Sequence, residues 1–217
     1  MPREEDRRRE TRAFYDKIAR FYDVLADHSE ARVRRAGIGY LEPAPGERIL
    51  EVGCGTGHCL ADLAEAVGSG GRVFGLDLAG GMLAVAGVTV HERGVAEHVD
   101  LVCGDALYLP FRSSSLDAVF LSFTLELFDT PEIPLVLAEC RRVLRPGGRI
   151  GVVGMSNEGE QGLTSEVYEW THRHFPNFVD CRPIFVRGAV EAAGFQVRTA
   201  VRQSMWVPVE IVVGVKG

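Results

Sequence analysis

Two hydrophobic periodicities alternate along the middle of the chain. Short apolar runs rich in β-branched residues, each bounded by Gly, Asp or Pro, predict buried strands at residues 48–52, 73–76, 99–103, 117–122 and 149–153. After the first run, apolar side chains recur at i, i+3, i+4 and i+7, which predicts an amphipathic helix over 58–67. A second helix is predicted over 131–144, ending at the Pro-Gly-Gly of Arg145–Gly148. Strands that alternate with helices indicate a largely parallel sheet covered on both faces.

The two ends of the chain have other patterns. Residues 8–40 predict a helical cap, and residues 160–193 predict two further helical pieces. Residues 195–201 and 206–215 predict two last strands that pair as an antiparallel hairpin. The total is seven strands in a single domain, which we divide into a helical cap (1–42), a ligand-binding core (43–153) and a lid with the final strands (154–217).

The composition is that of an ordinary globular domain. The 217 residues carry a net charge of −6, so we expect no broad basic surface and no nucleic-acid partner. The five cysteines form no Cys-x-x-Cys pair and no cluster with metal-ligand spacing, so we expect reduced core thiols and no bound metal. The chain shows no signal peptide and no apolar stretch of membrane-spanning length, and we expect a cytoplasmic protein.

A glycine cluster follows the first predicted strand. In the stretch "EVGCGTG", Gly53, Gly55 and Gly57 alternate with other residues directly before the predicted helix 58–67. Glycine is costly to order, so its use here indicates that something approaches the backbone closely. A strand, a Gly-rich turn and a helix open the nucleotide-binding half of a doubly wound fold. The predicted class is therefore α/β: a doubly wound, Rossmann-like, seven-stranded, mostly parallel sheet with a C-terminal antiparallel hairpin and an N-terminal helical cap.

Two carboxylates restrict the ligand of this turn. Asp77 ends the second predicted strand, 20 residues past Gly57, where an acid accepts hydrogen bonds from both hydroxyls of a ribose. Glu51 would repel a pyrophosphate but attract an ammonium group. His58 stands where a dinucleotide fingerprint needs a small residue, and no P-loop Gly-Lys-Ser/Thr follows the glycines. A ligand with a ribose and a positive charge fits best, and S-adenosylmethionine (SAM) is such a ligand.

Five stretches make the chain resemble a known family. They are "YDKIARFYDVL" (15–25), "ILEVGCGTG" (49–57), "VFGLDLAGGML" (73–83), "VCGDALYLPFRSSSLDAVF" (102–120) and "ECRRVLRPGGRIGVV" (139–153). In this order they resemble the class I SAM-dependent methyltransferases, and within them the ubiquinone/menaquinone-biosynthesis C-methyltransferase-like (methyltransferase type 11) family. Residues 154–217 match that family only in general character.

The resemblance implies a role for each residue of the cofactor site. It places the three glycines along the methionine part of SAM, with Glu51 near the ammonium and Asp77 on the ribose. It places Asp105 on the adenine amino group, although a turn cap is an alternative role for that carboxylate. The N-terminal Tyr22 caps the pocket or packs on the sheet. The complete set of expected cofactor contacts is Tyr22, Glu51, Gly53, Cys54, Gly55, Gly57, Asp77, Leu78, Met82, Gly104, Asp105, Ala106 and Ser122.

The candidates for catalysis are fewer. Methyl transfer from a sulfonium is an in-line displacement that needs alignment and exclusion of water, and a base only when the acceptor is protonated. Glu126 follows the fourth predicted strand and is either an acceptor-orienting group or a helix-start acid. His172 and His174 lie in the predicted lid and are either acceptor-binding residues or part of a surface helix.

The acceptor stays open at this stage. We expect a small molecule that is methylated on carbon, oxygen or nitrogen, such as a quinone precursor, a phenol or a lipid headgroup, with S-adenosylhomocysteine as the product. Contact with a membrane surface and a homodimer are both compatible with the sequence. Two alternatives remain, a SAM-binding protein that methylates nothing and an NAD-dependent oxidoreductase, and Glu51 and His58 count against the second.

Overall fold

One mixed sheet organises the protein. The computed structural model describes residues 30–156, 183–204 and 208–217. Within them lies a seven-stranded sheet with the order β3-β2-β1-β4-β5-β7-β6. Its first five strands are parallel, and β7 runs antiparallel to both of its neighbours. The strands are β1 (Arg48–Val52), β2 (Arg72–Asp77), β3 (Val99–Cys103), β4 (Leu116–Ser122), β5 (Leu144–Met155), β6 (Phe195–Ser204) and β7 (Pro208–Lys216).

Helices cover both faces of this sheet. Residues 30–41 are helical and are called α1. The others are α2 (His58–Val67), α3 (Gly80–Glu92), α4 (Ile133–Val143) and α5 (Val186–Ala192). None of the helices in the described ranges is long and apolar enough to cross a membrane.

Successive residues of the central strands point to opposite faces of the sheet, and each face packs into its own hydrophobic core. Ile49, Phe120 and Val153 point to one face, where they pack with apolar residues of α1, α2 and α3. Leu50 and Leu121 point to the other face and pack with α4 and α5. A parallel sheet that buries both faces needs strands that are apolar at nearly every position, which is the pattern of the central strands.

Two hydrogen-bonded contacts fix α1 against the sheet. Arg149 of β5 donates to the carbonyl oxygens of Leu41 and Glu42 at the end of α1, at 2.5 and 2.6 Å. The same guanidinium holds Glu47 in a two-pronged ion pair, at 2.7 and 2.6 Å. Arg149 therefore anchors the C-terminal end of α1, while Glu30 and Arg34 near the beginning of α1 lie at the cavity on the carboxyl edge of the sheet.

The predicted fold class is confirmed. The five central strands, the helix over 58–67 and the final antiparallel hairpin all form. One prediction about a strand end is wrong, because β5 begins at Leu144 directly after α4. Leu116 pairs with Leu144 and Ala118 with Arg149, so residues 145–148 bulge out of the ladder. The bulge suits glycine, since Gly147 has φ +74°.

The remaining predictions concern the helical patterns near the ends of the chain and the placement of the cysteines. The helical patterns over 8–29 and 160–182 lie outside the described residues, whereas the helical end of the cap and α5 are present. Cys54, Cys59 and Cys140 are buried free thiols as expected. Cys103 is an exposed thiol on the edge strand β3, so its predicted place in the core is wrong.

Candidate cofactor site

A cavity of about 200 Å³ opens at the carboxyl edge of the sheet. Its walls come from the ends of β1, β2, β3 and β4, with α1 contributing Glu30 and Arg34. The strand order reverses between β1 and β4, because β2 lies on one side of β1 and β4 on the other. In open α/β sheets this reversal is where ligands bind.

The three glycines of the turn have three different tasks. All have positive φ, namely 68° at Gly53, 51° at Gly55 and 85° at Gly57. A Cβ on Gly53 would collide with the side chain of Thr124. A Cβ on Gly55 would meet no atom within 4 Å, and Gly55 lies on the cavity wall. The open space at Gly55 is compatible with the close approach of a ligand that the sequence predicts.

Gly57 departs from the predicted role. A Cβ there would lie 2.9 Å from the Cα of Ala86, so this glycine allows α2 and α3 to pack closely. Gly57 is not among the residues that line the cavity in the described part of the chain. The prediction that it lines the methionine part of the ligand is not supported by this placement.

Asp77 joins the glycine turn to the neighbouring strand. Its Oδ2 accepts the backbone N–H of Gly55 and its Oδ1 accepts that of Ala79, both at 2.9 Å. Each carboxylate oxygen has two lone pairs, so these bonds are compatible with additional bonds to ligand hydroxyls. Asp77 is therefore held rigidly on the cavity wall, and it also fixes the glycine turn.

Asp105 caps a turn and also lies on the cavity wall. It caps the short 3-10 turn Ala106–Tyr108, with Oδ1 accepting the N–H of Leu107 at 2.9 Å. It also lines the cavity, together with Gly104 and Ala106. The cap fixes the carboxylate in place, which is compatible with a hydrogen bond to a ligand amino group.

Glu51 is the most unusual group of the wall. Its side chain is 2% exposed, and its Oε2 has no hydrogen-bond partner within the described ranges. Burial raises the pKa of this carboxyl well above its ordinary value, and the positive charge of Arg34 opposes that shift. A buried carboxyl oxygen without a partner is costly unless a ligand satisfies it. An ammonium group would do so, and the residues present therefore fit the amino-acid end of SAM.

Nearly the whole predicted cofactor set comes together. The cavity wall contains Glu51, Gly53, Cys54, Gly55, Asp77, Leu78, Met82, Gly104, Asp105, Ala106 and Ser122. Tyr22 lies outside the described residues. The cavity wall also contains residues outside this predicted set, which include Glu30, Arg34, Phe123, Thr124, Leu127 and Glu132. A helical pattern over 8–40 was visible in the sequence, but the tertiary packing that turns Arg34 toward Glu51 was not.

Of the three predicted catalytic candidates, the structure describes only Glu126. Glu126 is buried at 1% exposure behind the cavity wall, where its Oε1 accepts the N–H of Met155 at 3.1 Å. It is the acid in the first turn of the 3-10 helix Leu125–Leu127, so the predicted helix-start position is present, although the longer helix α4 begins only at Ile133. Burial raises the pKa of Glu126 to about 7. His172 and His174 lie outside the described residues.

Comparison with known proteins identifies the family of the chain. Residues 49–148 match the family model described as a methyltransferase domain. The chain is 34% identical over 168 residues to the demethylmenaquinone methyltransferase of Anoxybacillus flavithermus, covering 76% of this chain and 70% of that one. It is 37% identical over 145 residues to the 2-phytyl-1,4-naphtoquinone methyltransferase of Synechococcus elongatus, which is 65% of this chain. The chain spans only 61% of the length of that relative.

Solved structures share the fold. A SAM-dependent methyltransferase from Aquifex aeolicus superposes with a TM-score of 0.66 at 22% identity, over 94% of this chain and 98% of that one. The [4+2]-cyclase SpnF superposes with a TM-score of 0.73 at 19% identity, over 96% of each chain. The matching family model and the sequence relatives show that the chain belongs to the SAM-dependent methyltransferase family.

Proposed function

We propose that this protein transfers a methyl group from SAM to a small-molecule acceptor. The observation that carries the proposal is the unpartnered, buried oxygen of Glu51 on the same cavity wall as the open space at Gly55. Asp77 supplies the third feature, a rigid carboxylate for a ribose. These three features together match a ligand that carries an ammonium, a ribose and no pyrophosphate.

A quinone-related or phenolic ring is the acceptor class that we favour. Of the two relatives described above, one is named a 2-phytyl-1,4-naphtoquinone methyltransferase and the other a demethylmenaquinone methyltransferase, so both names refer to quinones. On the β4 side the cavity wall is aromatic and aliphatic, with Phe123, Leu127 and Phe128. Such a wall suits a flat apolar ring, because it buries the ring and contributes the hydrophobic term to binding.

The chain contributes binding, alignment and exclusion of water. Bound SAM supplies an electrophilic methyl group on a sulfonium. Glu51 would hold the ammonium of the cofactor and Asp77 its ribose, and the backbone at Gly55 would allow it to lie close. Phe123 and Leu127 shield the neighbouring space from solvent, which favours an in-line approach by the acceptor. A base is required only for an acceptor that arrives protonated.

A SAM-binding protein without methyltransferase activity is the second candidate. The fold neighbour described as a [4+2]-cyclase shows that this architecture alone does not determine the reaction. The described cavity wall does not decide between the two, because methyl transfer needs few dedicated side chains. An NAD-dependent reaction is less favoured, since the unpartnered Glu51 carboxyl would face a pyrophosphate.

Calorimetry followed by an acceptor screen tests the proposal. The protein is titrated in parallel with SAM, S-adenosylhomocysteine and NADH, and binding of the two adenosyl ligands alone is the expected result. It is then incubated with SAM and a demethylated naphthoquinol, a simple phenol or phosphatidylethanolamine vesicles. We expect mass spectrometry to show a 14 Da increase in the quinol or phenol, together with S-adenosylhomocysteine. Tight SAM binding with no methylated product from any acceptor would favour the non-catalytic candidate.

A further inference from the structure

The turn between β4 and α4, residues 123–128, has a strained start. Phe123 has φ +51°, a left-handed conformation that non-glycine residues rarely adopt. Its backbone N–H donates to the carbonyl oxygen of Val153 in β5 at 2.8 Å. Strain of this kind persists only where surrounding contacts enforce it. The contacts of this turn therefore indicate its role.

The first contact is with the glycine turn. Thr124 directly faces Gly53, where a Cβ would collide with the threonine side chain. Its hydroxyl donates to the carbonyl oxygens of Ser122 at 3.0 Å and Gly53 at 3.4 Å. The strained turn therefore packs directly on the backbone that approaches the cofactor.

The second contact is made by Glu126. Its Oε1 accepts the N–H of Met155, and its carboxyl fills the space beside Gly154 in β5. A Cβ on Gly154 would lie 3.2 Å from Oε2 of Glu126 and 3.3 Å from Val186 of α5. Glu126 thus ties the turn to the end of β5 at Met155, two residues beyond Val153, to which Phe123 is bonded.

Stability does not explain a carboxyl at this position. Glu126 is 1% exposed, and its Oε2 has no hydrogen-bond partner in the described part of the chain. Burying such a group costs more than burying an apolar side chain of similar length. A residue that lowers stability is expected at positions where the function of the protein requires the contact that it makes.

We propose that Glu126 is a positioning residue for the cofactor site. Through its hydrogen bond to Met155 N–H it holds Phe123 and Thr124 against the glycine turn, in the arrangement that binds the adenosyl cofactor. This inference rests on the proposed function, since it concerns the same cavity. Among the described residues, Thr124 and Leu127 line the cavity and Glu126 does not, so we expect Glu126 to act through these neighbours.

Two substitutions separate the hydrogen bond from the charge. Glu126→Gln keeps an oxygen that accepts from Met155 N–H, whereas Glu126→Met keeps the length of the side chain and removes the acceptor. Glu97→Met is the matched control, because Glu97 is an exposed glutamate in another 3-10 turn. The readouts are the affinity for S-adenosylhomocysteine by calorimetry, the thermal midpoint, and hydrogen exchange at the Met155 amide.

We expect Glu126→Met to weaken S-adenosylhomocysteine binding at least tenfold while the thermal midpoint stays equal or rises. The Met155 amide should exchange faster in this variant. Glu126→Gln should bind within threefold of the wild type, and Glu97→Met should not differ from it. Opposite changes in stability and affinity distinguish a positioning residue from one that only supports the fold.

Three results would overturn the inference. Wild-type affinity in Glu126→Met would show that the turn needs no tie to β5. Equal losses in the Gln and Met variants would show that the charge acts on the ligand directly. A parallel loss of stability and affinity in Glu126→Met would show a general structural role. If the wild-type protein itself bound no adenosyl ligand, the proposed function would fail instead.

A second variant serves if Glu126→Met does not fold. Gly154→Ala leaves the carboxyl in place and presses on its Oε2. Gly39→Ala in α1 is its control, because a Cβ there meets no atom within 4 Å. Weaker S-adenosylhomocysteine binding in Gly154→Ala alone would support the inference, and wild-type affinity would overturn it.

Discussion

The carboxylate of Asp77 accepts the backbone N–H of Gly55 at 2.9 Å and so joins the ends of β2 and β1. The residue predicted to hold a ribose therefore also shapes the turn predicted to lie along the methionine part of the ligand. The two halves of the site are coupled by this bond. A change at Asp77 should affect both, which makes its substitution more severe than the loss of one ligand contact.

We expect Asp77→Ala to reduce SAM affinity at least a hundredfold, since it removes the ribose contact and the tie to Gly55. Isothermal titration calorimetry measures the change. Asp100→Ala is the matched control, because Asp100 lies on β3 in a half-exposed ion pair with Arg72. Micromolar SAM binding in a folded Asp77→Ala protein would rule out the ribose assignment.

Gly55→Val should abolish SAM binding, because its side chain would fill the open space at the cavity wall. The substitution also strains a backbone with φ +51°. Gly94→Val controls for that strain, since Gly94 has φ +71° and an added Cβ meets no atom within 4 Å. Both variants should lose stability in thermal unfolding, and only Gly55→Val should lose the ligand. Normal binding by folded Gly55→Val would contradict the close-approach argument.

Ligand binding should release a proton from Glu51. Burial raises the pKa of this carboxyl in the ligand-free site, and a bound ammonium favours the ionised form. The pKa is then lower in the complex, so SAM affinity rises with pH between the two values, by at most about tenfold per pH unit. Calorimetry in two buffers of different ionisation enthalpy counts the protons released. Glu51→Gln should release none, and an unchanged proton count in that variant would assign the proton to another group.

Glu126 should make the protein less stable at neutral pH than at acidic pH. Burial, with a smaller contribution from the charge of Glu30, raises its pKa to about 7 in the folded state. An unfolded chain has a glutamate pKa of about 4.3. Between these values the folded state retains a proton that the unfolded state has released, so this group's contribution to stability falls as pH rises through that interval. The difference of nearly three pKa units corresponds to roughly 4 kcal/mol once the pH is above both values.

Urea unfolding of Glu126→Gln checks this linkage. The variant should gain up to about 2–3 kcal/mol relative to the wild type on going from pH 4.5 to pH 8, since its side chain does not titrate. Glu97→Gln should follow the wild type at both pH values, because Glu97 is exposed. A difference between Glu126→Gln and the wild type that is the same at both pH values would contradict a raised pKa.

Local patterns were sufficient for the elements and for part of the site. The run 48–52 and the spacing over 58–67 correspond to β1 and α2 without a shift. Gly53, Gly55 and Asp77 were identifiable because they stand at fixed distances from those elements. The beginning of β5 was missed, because the bulge at residues 145–148 depends on pairing between Leu116 and Leu144.

The sequence by itself determined the α/β architecture, the edge of the sheet where a ligand binds, and the carboxylates that restrict its charge. These follow from periodicity and from spacing along one stretch of chain. Only the tertiary structure decided which partners those residues have. It brought Arg34 of α1 near Glu51, assigned Gly57 to helix packing, and buried Glu126 against Met155. Burial and pairing between distant segments depend on long-range packing, and no local pattern records them.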